Sequence, residues 1–233
     1  MSCNKNVLSL LPLFFSVALL SCGGGGGDSA PSGVAAPAPT PAPAPPPPPP
    51  PPAPIPPMAQ PPLDISGMTG RVGIDFWGDN STANGGNGTP VDGLGCFNPL
   101  DSTFHIHSHL AVVLNGQLLT VPVNIGRVFP TATQPGCLYQ LHNHDQGGRM
   151  HIENATPFSP TLGNWFHIWG QPLARDNVGG ITGMPIVFYV TDNGVVTRWD
   201  DDPALIELKS HRLITIQIGT QLTELPNFTW TGT

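Results

Sequence analysis

The stretch FHIHSHL, residues 104–110, places His105, His107 and His109 at every second position of a predicted β-strand. Side chains two residues apart lie on the same face of a strand, so the three imidazoles are expected on one face and the alternating apolar residues on the other. Imidazole is a common ligand of zinc and copper ions. The spacing therefore indicates either part of a metal site or a row of solvated histidines.

A second histidine-rich stretch, CLYQLHNHDQGGRMHIE, predicts a hairpin that turns near its two glycines. A pairing centred beside Gly147 has an odd sum of positions and puts His151 opposite His142 or His144. In both registers these histidines share one face with Glu153. A single H-x-H pair is usually solvated on an exposed strand, but the two stretches together favour a metal site because few structural reasons collect so many imidazoles.

The predicted ligands come from both stretches. They are His105, His107, His142 and His144 first, and His151 next. Asp145 and Glu153 are expected to accept hydrogen bonds from imidazoles and to orient them. His109 and His211 are less favoured as ligands, because His109 begins the strand that leads to the next turn and His211 lies on a distant segment. His167, in an aromatic segment, is expected to be a packed histidine.

These residue types support three functions. The first is an anchored module that holds copper or zinc for buffering, sensing or delivery, since the site has many histidines and no obvious nucleophile. The second is a metal-dependent enzyme, hydrolytic or oxidative, in which three histidines hold the ion and Glu153 or Asp145 acts as general base. The third is a surface or adhesion domain with solvated histidines. No Ser-His-Asp arrangement, phosphate loop or dinucleotide fingerprint can be assembled, which disfavours a serine-type hydrolase.

The first 22 residues, MSCNKNVLSLLPLFFSVALLSC, contain Lys5 and then an apolar run that is too short for a permanent membrane helix. We interpret residues 1–21 as a signal peptide. Its end resembles the lipobox of bacterial lipoproteins, so Cys22 is predicted to carry a lipid that anchors the protein to a membrane of the cell envelope. Gly23, where an Asp would resemble an inner-membrane retention signal, favours the outer membrane.

Composition divides the rest of the chain into a tether and one domain. Residues 22–62 are rich in glycine and then in proline, and we predict a disordered tether because this composition cannot bury apolar surface. Residues 63–233 are long enough for one domain with its own core. With Cys22 acylated, Cys96 and Cys137 remain as a pair in an oxidising compartment, where we expect them to form a disulfide.

The charge of the chain restricts its partners. The formal net charge is −7, with only 8 Lys and Arg residues. Nucleic acids and anionic membrane surfaces require a basic patch, so neither is expected to bind. The expected partners are a metal ion and the membrane, the latter through the lipid on Cys22. The sequence indicates no particular protein partner.

The domain is predicted to be all-β, because short runs rich in Val, Ile, Thr and aromatic residues recur between Gly, Asn, Asp and Pro clusters. We expect a single antiparallel sandwich or Greek-key barrel, similar to a cupredoxin or an immunoglobulin domain. Asn115-Gly116 and Asn193-Gly194 are predicted hairpin turns. The segment TLGNWFHIWGQPL predicts a single helical turn that packs its aromatic residues onto a sheet.

Three motifs carry a family resemblance over residues 100–220. HIHSHLAVVLNGQ, CLYQLHNHDQGGRMHIE and FHIWGQPL together resemble an uncharacterised family of secreted bacterial and archaeal proteins. That family carries H-x-H-x-H-L, then C-h-Y-x-L-H-x-H-D-x-x-G-x-h-H-h-E with h apolar, then W-G-Q-P-L. The resemblance implies a single structural unit and no particular activity. It also implies a shared polar core at His105, His107, His109, His142, His144 and His151.

A looser resemblance is to the cupredoxin domains of multicopper oxidases, in which a strand ending in H-x-H turns through glycines into the next strand, as residues 141–152 do here. Those oxidases need four such pairs, and this chain has two, which disfavours a trinuclear copper cluster. A blue-copper site would use Cys137, His142 and Met150. The expected pairing of Cys137 with Cys96 disfavours that set.

Overall fold

A computed structural model describes residues 46–64, 70–78 and 85–230. The chain divides into two units, Met1–Pro50 and Pro51–Thr233, and all regular structure described below belongs to the second. The predicted signal peptide and Cys22 lie outside the described residues. Within those residues, no helix has the length and apolar character needed to cross a membrane.

The described residues form an all-β fold with one α-helix, as predicted. The strands are β1 (Leu63–Asp64), β2 (Cys96–Phe97), β3 (Phe104–Leu114), β4 (Gln117–Leu119), β5 (Arg127–Val128), β6 (Cys137–Tyr139), β7 (Leu141–His142), β8 (Arg149–Asn154), β9 (Leu173–Ala174), β10 (Asn177–Val178), β11 (Ile181–Thr182), β12 (Ile186–Asp192), β13 (Val195–Trp199), β14 (Leu213–Ile218) and β15 (Phe228–Thr229). The helices are α1 (Leu162–Trp169) and a short 3₁₀ helix at Pro203–Leu205.

The main sheet has seven strands in the order β13-β12-β14-β3-β8-β7, with β4 paired to β3. Its pairs are antiparallel except for β3 and β14, which are parallel, so the sheet is mixed. Smaller sheets join β2, β6 and β5, then β9, β10 and β11, and finally β1 with β15. The arrangement is sandwich-like. The central strand β14 is buried along its whole length, and β3 is buried from Ser108 to Val113.

The predicted hairpin turns are confirmed. Asn115 and Gly116 connect β3 to β4 with positive φ angles of 49° and 82°, and Asn193 and Gly194 connect β12 to β13 with 49° and 79°. Positive φ at both central residues is the requirement of a type I′ turn, which Asn-Gly meets at little cost. The two Asn-Gly pairs therefore form the turns that fix the strand register of both hairpins.

The two faces of the main sheet have different surroundings. One face carries Leu110, Ile152 and Ile216 into the main core, together with apolar residues of α1. The other face is covered by a smaller cluster around Phe228 and Ala111. The histidines of β3 and β8 belong to this second face, because side chains alternate along each strand.

Helix α1 is longer than the predicted single turn because both of its ends are capped. Thr161 accepts a hydrogen bond from the backbone N–H of Asn164, whose side chain accepts one in return from the Thr161 N–H. Gly170 ends the helix in the left-handed conformation with φ 74°. Trp165 and Trp169 are fully buried, so the helix packs its aromatic face into the main core as expected.

Cys96 and Cys137 form the predicted disulfide, with 5.4 Å between their Cα atoms. The bond joins β2 to β6 in the small three-stranded sheet. Nearer the start of the described chain, the backbone N–H of Ala59 donates to the Leu225 carbonyl at 2.9 Å. Backbone contacts to the domain thus begin a few residues before Leu63, where composition placed the domain boundary.

A buried arginine ties the end of β12 to the turn before β14. The Arg212 side chain donates to both carboxylate oxygens of Asp192 and to the Glu207 carbonyl. These hydrogen bonds from Arg212 outweigh the effect of partial burial and lower the pKa of Asp192 below its usual value. A carboxylate with a lowered folded-state pKa stabilises the fold above its unfolded pKa of about 3.9, and this contribution is lost as the pH falls through the folded value.

We therefore expect Asp192→Asn to have a lower free energy of unfolding than the wild type at pH 7. Near pH 3 the difference in the free energy of unfolding should be smaller. Urea unfolding at both pH values measures this. Asp200→Asn, which removes the carboxylate of a more exposed ion pair with Arg198, is the control and should have a small effect. A deficit of Asp192→Asn that is equal at the two pH values would contradict the expectation.

Candidate metal centre

Three neighbouring strands position the histidines. β3 pairs with β8, which sets His105 opposite Glu153 and His107 opposite His151. β8 also pairs with β7, which sets His142 opposite His151 in a register with the predicted odd sum. Directly paired residues share a face, so His107, His151 and His142 form one row across three strands.

The ligand atoms in this region fall into two groups that share His151. The first group is His142, His144, His151 and Glu153, and the second is His105, His107 and His151. Within each group, one ligand atom from every residue lies within 4.8 Å of the others, so each group can hold a metal ion. All five favoured histidines of the sequence analysis are thus brought together.

The Nδ1 atom of His151 lies where the two groups meet. It is 3.1 Å from Nε2 of His105, 3.1 Å from Nε2 of His107 and 3.5 Å from Oε1 of Glu153. One ring nitrogen carries either a single proton or a single lone pair in the ring plane, so it cannot make a well-directed hydrogen bond to all three atoms. The lone pairs of the surrounding nitrogens and the carboxylate charge suit a cation between them.

The spacing within the first group fits a small ion. His142 Nε2 lies 3.0 Å from His144 Nε2 and 3.7 Å from Glu153 Oε1. Nitrogen ligands about 2.0–2.1 Å from a tetrahedral zinc ion are about 3.3 Å from each other. The observed separations lie on both sides of that value.

A backbone hydrogen bond fixes which nitrogen of His142 faces the group. Its Nδ1 lies 2.8 Å from the Tyr139 carbonyl oxygen, and a carbonyl only accepts, so Nδ1 carries the proton. Nε2 therefore has a free lone pair, and it is this atom that points toward His144 and Glu153. Metal-binding histidines are commonly oriented in this way by a hydrogen bond from the other ring nitrogen.

Burial favours the neutral form of His107, His142 and His151. Desolvation, reinforced by the neighbouring His144, lowers the pKa of His142 to about 3. Desolvation and the nearby His142 lower the pKa of His151 to about 2, and desolvation and His105 lower that of His107 to about 4. Neutral imidazole is the form that binds metal ions, so protons compete weakly for these rings at pH 7.

Glu153 lies among the candidate ligands, whereas the sequence analysis expected it to orient imidazoles or to act as a general base. Its Oε1 is 3.1 Å from His105 Nε2, and its side chain is 12% exposed. The signal for this position is the pairing of Glu153 with His105 across β3 and β8, which a single strand does not reveal. Glu153 supplies the only carboxylate in either group.

Asp145 has different partners from those expected. Its carboxylate pairs with Arg149 at 2.8 Å and accepts a hydrogen bond from the Gly147 N–H at 2.8 Å. It therefore braces the loop between β7 and β8 rather than contacting an imidazole directly. The nearby charge of Asp145 still favours the protonated form of His144, against the larger effect of desolvation, which lowers the pKa of that ring.

His109 is fully buried and lies outside both groups. Its Nε2 donates to the Gly147 carbonyl at 2.7 Å, and its ring packs 4.0 Å from that of Phe228, measured between centroids. Desolvation lowers its pKa to about 4. His109 thus supports the same loop as Asp145 and holds the second hairpin against β3.

His211 and His167 also lie outside the two groups. His211 stacks on Trp230 and lines a cleft of about 380 Å³ together with His105 and His107, so it borders the second group. His167 is exposed and pairs with Asp92, which differs from the packed position expected for it. His167 lies in the last turn of α1 on the exposed side of the helix, whereas Trp165 and Trp169 lie on its buried side.

Arg127 is a residue of the site region that sequence reasoning missed. Its positive charge adds to desolvation in lowering the pKa of both His142 and His144. It belongs to β5, outside both histidine stretches, and nothing in its local sequence indicates proximity to them.

A scan against protein-family models and searches of curated proteins and of solved structures gave no match to this chain. The geometry of the centre therefore carries the functional argument.

Proposed function

We propose that this protein binds a transition-metal ion through imidazoles from two hairpins and the carboxylate of Glu153. The observation that carries the proposal is the convergence on His151, whose Nδ1 lies 3.1 Å from the Nε2 atoms of both His105 and His107. Neutral imidazoles gain little from crowding in the absence of a cation. The burial of His142 and the fixed proton on its Nδ1 support the same conclusion.

The chemistry of the ligands favours copper or zinc. Imidazole nitrogens suit both ions, whereas calcium and magnesium prefer oxygen ligands. Only one carboxylate is present in the two groups. A ligand set that is rich in nitrogen and includes the buried residues His142, His151 and Glu153 supports a binding role in metal buffering, sensing or delivery.

Elemental analysis of the purified protein, prepared without a polyhistidine tag and loaded with each ion in turn, tests metal binding. We expect at least about one copper or zinc ion per chain to remain after dialysis, given the affinities of sites with three or four such ligands. Retention of less than about a tenth of an ion per chain would contradict the proposal and favour a surface or adhesion domain with solvated histidines.

We further propose that the protein is a lipoprotein of the bacterial envelope, anchored by a lipid on Cys22 and held mainly at the outer membrane. The lipobox-like end of the predicted signal peptide supports this location. The resemblance of its histidine motifs and W-G-Q-P-L motif to those of secreted bacterial and archaeal proteins supports membership of that family. Expression in a bacterium with labelled palmitate should label the wild type and leave Cys22→Ser unlabelled, and label on both would contradict the anchor.

A second candidate function is that of a metal-dependent enzyme. The observation that favours it is a cavity of about 610 Å³ whose lining includes Glu153. A cavity of this size accommodates a small molecule, and a carboxylate beside a metal ion can act as general base on a bound water. Catalysis requires a site on the ion that exchanges water, which water-proton relaxation of the copper-loaded protein measures. If the bound copper raises the water-proton relaxation rate no more than a copper ion without an exchangeable water does, the enzyme function is contradicted.

A further inference from the structure

The 610 Å³ cavity lies over the small sheet of β2, β6 and β5. Leu138 of β6 pairs with Phe97 on one side and with Arg127 on the other. Directly paired residues point to the same face, so an aromatic, an aliphatic and a cationic side chain form one row along the cavity. Strands are about 4.8 Å apart, so the row spans roughly 10 Å from Phe97 to Arg127.

The apolar part of this cavity is open to solvent. Phe97 is 47% exposed and Phe129 is 44% exposed, and both line the cavity. The remaining apolar lining comes from Leu100, Val128, Pro99, Pro130 and Pro135. Exposed aromatic rings that line one concave surface are a feature of ligand sites, whereas single exposed apolar residues are common everywhere.

The charged lining is formed by Arg127 and Glu153. The Glu153 carboxylate is turned toward His105, His142 and His151, at 3.1 to 3.7 Å. Arg127 is held in place, since its Nη1 donates to Asn124 at 2.8 Å and its guanidinium lies 5.2 Å from the centre of the Phe129 ring. The cavity thus offers a positioned cation at one end and apolar surface at the other.

We propose that this cavity binds a small organic carboxylate that carries an aromatic group. The aromatic group lies against Phe97 and Leu138, and the carboxylate pairs with Arg127, whose planar guanidinium matches a carboxylate in shape and charge. The disulfide between Cys96 and Cys137 holds β2 to β6, so this part of the binding surface is preorganised in the free protein. The binding itself does not depend on a metal ion, and it brings the ligand beside Glu153.

The test uses 2-naphthoate as the probe and the uncharged 2-naphthalenemethanol as its matched comparison. We expect the metal-free protein to bind 2-naphthoate with a dissociation constant below about 1 mM, a strength that a ligand of this size can reach. Amide chemical shifts should change at Phe97, Arg127 and Leu138. The uncharged compound should bind about tenfold more weakly because it lacks the ion pair.

Variants distinguish binding at this site from nonspecific binding of the probe to the protein surface. Arg127→Gln should weaken 2-naphthoate binding about tenfold and leave the uncharged compound unaffected, and Phe97→Ala should weaken both. Arg198→Gln, on β13, is the control and should bind as the wild type. No shift changes at these residues, or equal binding by Arg127→Gln and wild type, would overturn the inference. Because the titration uses metal-free protein, its failure is separate from failure of the metal proposal.

Discussion

The His142→Ala, His144→Ala double variant is expected to bind metal far more weakly than the wild type and to retain well below one ion per chain after dialysis, because only the three histidines of the second group remain intact. Zinc sites with four protein ligands bind with roughly 10–16 kcal/mol, so two ligands contribute about half of that energy. A loss of about 6 kcal/mol lowers affinity roughly 10⁴-fold. Elemental analysis and competition with a chelator measure the change.

Folding of the double variant has to be shown separately. His142 is fully buried and its Nδ1–H donates to Tyr139, so replacing it leaves both a small cavity and an unpaired carbonyl. His144→Ala alone changes an exposed residue and should weaken metal binding while the fold stays intact. His167→Ala, an exposed histidine outside the two groups, should retain the metal. Full metal retention by a folded double variant would contradict the assigned ligands.

Removal of the disulfide is expected to have the largest effect on stability. In the Cys96→Ser, Cys137→Ser variant, the free energy of unfolding should fall by about 4 kcal/mol, because the bond closes a loop with a sequence separation of 41. For a domain of this size, such a loss lowers Tm by roughly 8–16 °C. Calorimetry with urea unfolding as a second probe measures both quantities.

Metal binding should survive the loss of the disulfide under conditions where the variant is folded, since neither cysteine is in a ligand group. Binding of 2-naphthoate should weaken, because β2 and β6 form one wall of its cavity. The oxidised wild type treated in parallel without reductant is the control. A decrease in stability of less than about 1 kcal/mol would show that pairing within the small sheet holds these strands without the bond.

The sequence predicted the local geometry of the centre well, because the rules involved are local. Alternation along β3 placed His105 and His107 on one face, whereas His144 reaches His142 from the loop after β7. The odd register of the second hairpin set His142 opposite His151, even though the connection between β7 and β8 is a longer loop than the predicted turn. Asn-Gly turns fixed two other hairpins in the same way.

The parts that the sequence did not predict depend on long-range pairing. Nothing in the FHIHSHL stretch identifies β8 as its neighbour, and that pairing is what brings Glu153 to His105. The parallel pairing of β3 with β14 joins segments about a hundred residues apart. Arg127 reaches the region through an edge strand of another sheet, so its effect on His142 and His144 follows only from the tertiary structure.

X-ray absorption spectroscopy at the metal edge of the loaded protein tests the central claim most directly. Imidazoles from both hairpins bound to one ion should give three or four nitrogen or oxygen neighbours at about 2.0–2.1 Å, with the outer-ring scattering of at least two imidazoles. In the His142→Ala, His144→Ala variant, that scattering should weaken, because two of the imidazoles are removed and only those of His105, His107 and His151 remain. A spectrum of hydrated ion with one imidazole or none would contradict a shared centre and leave the histidines as separate groups on a sheet surface.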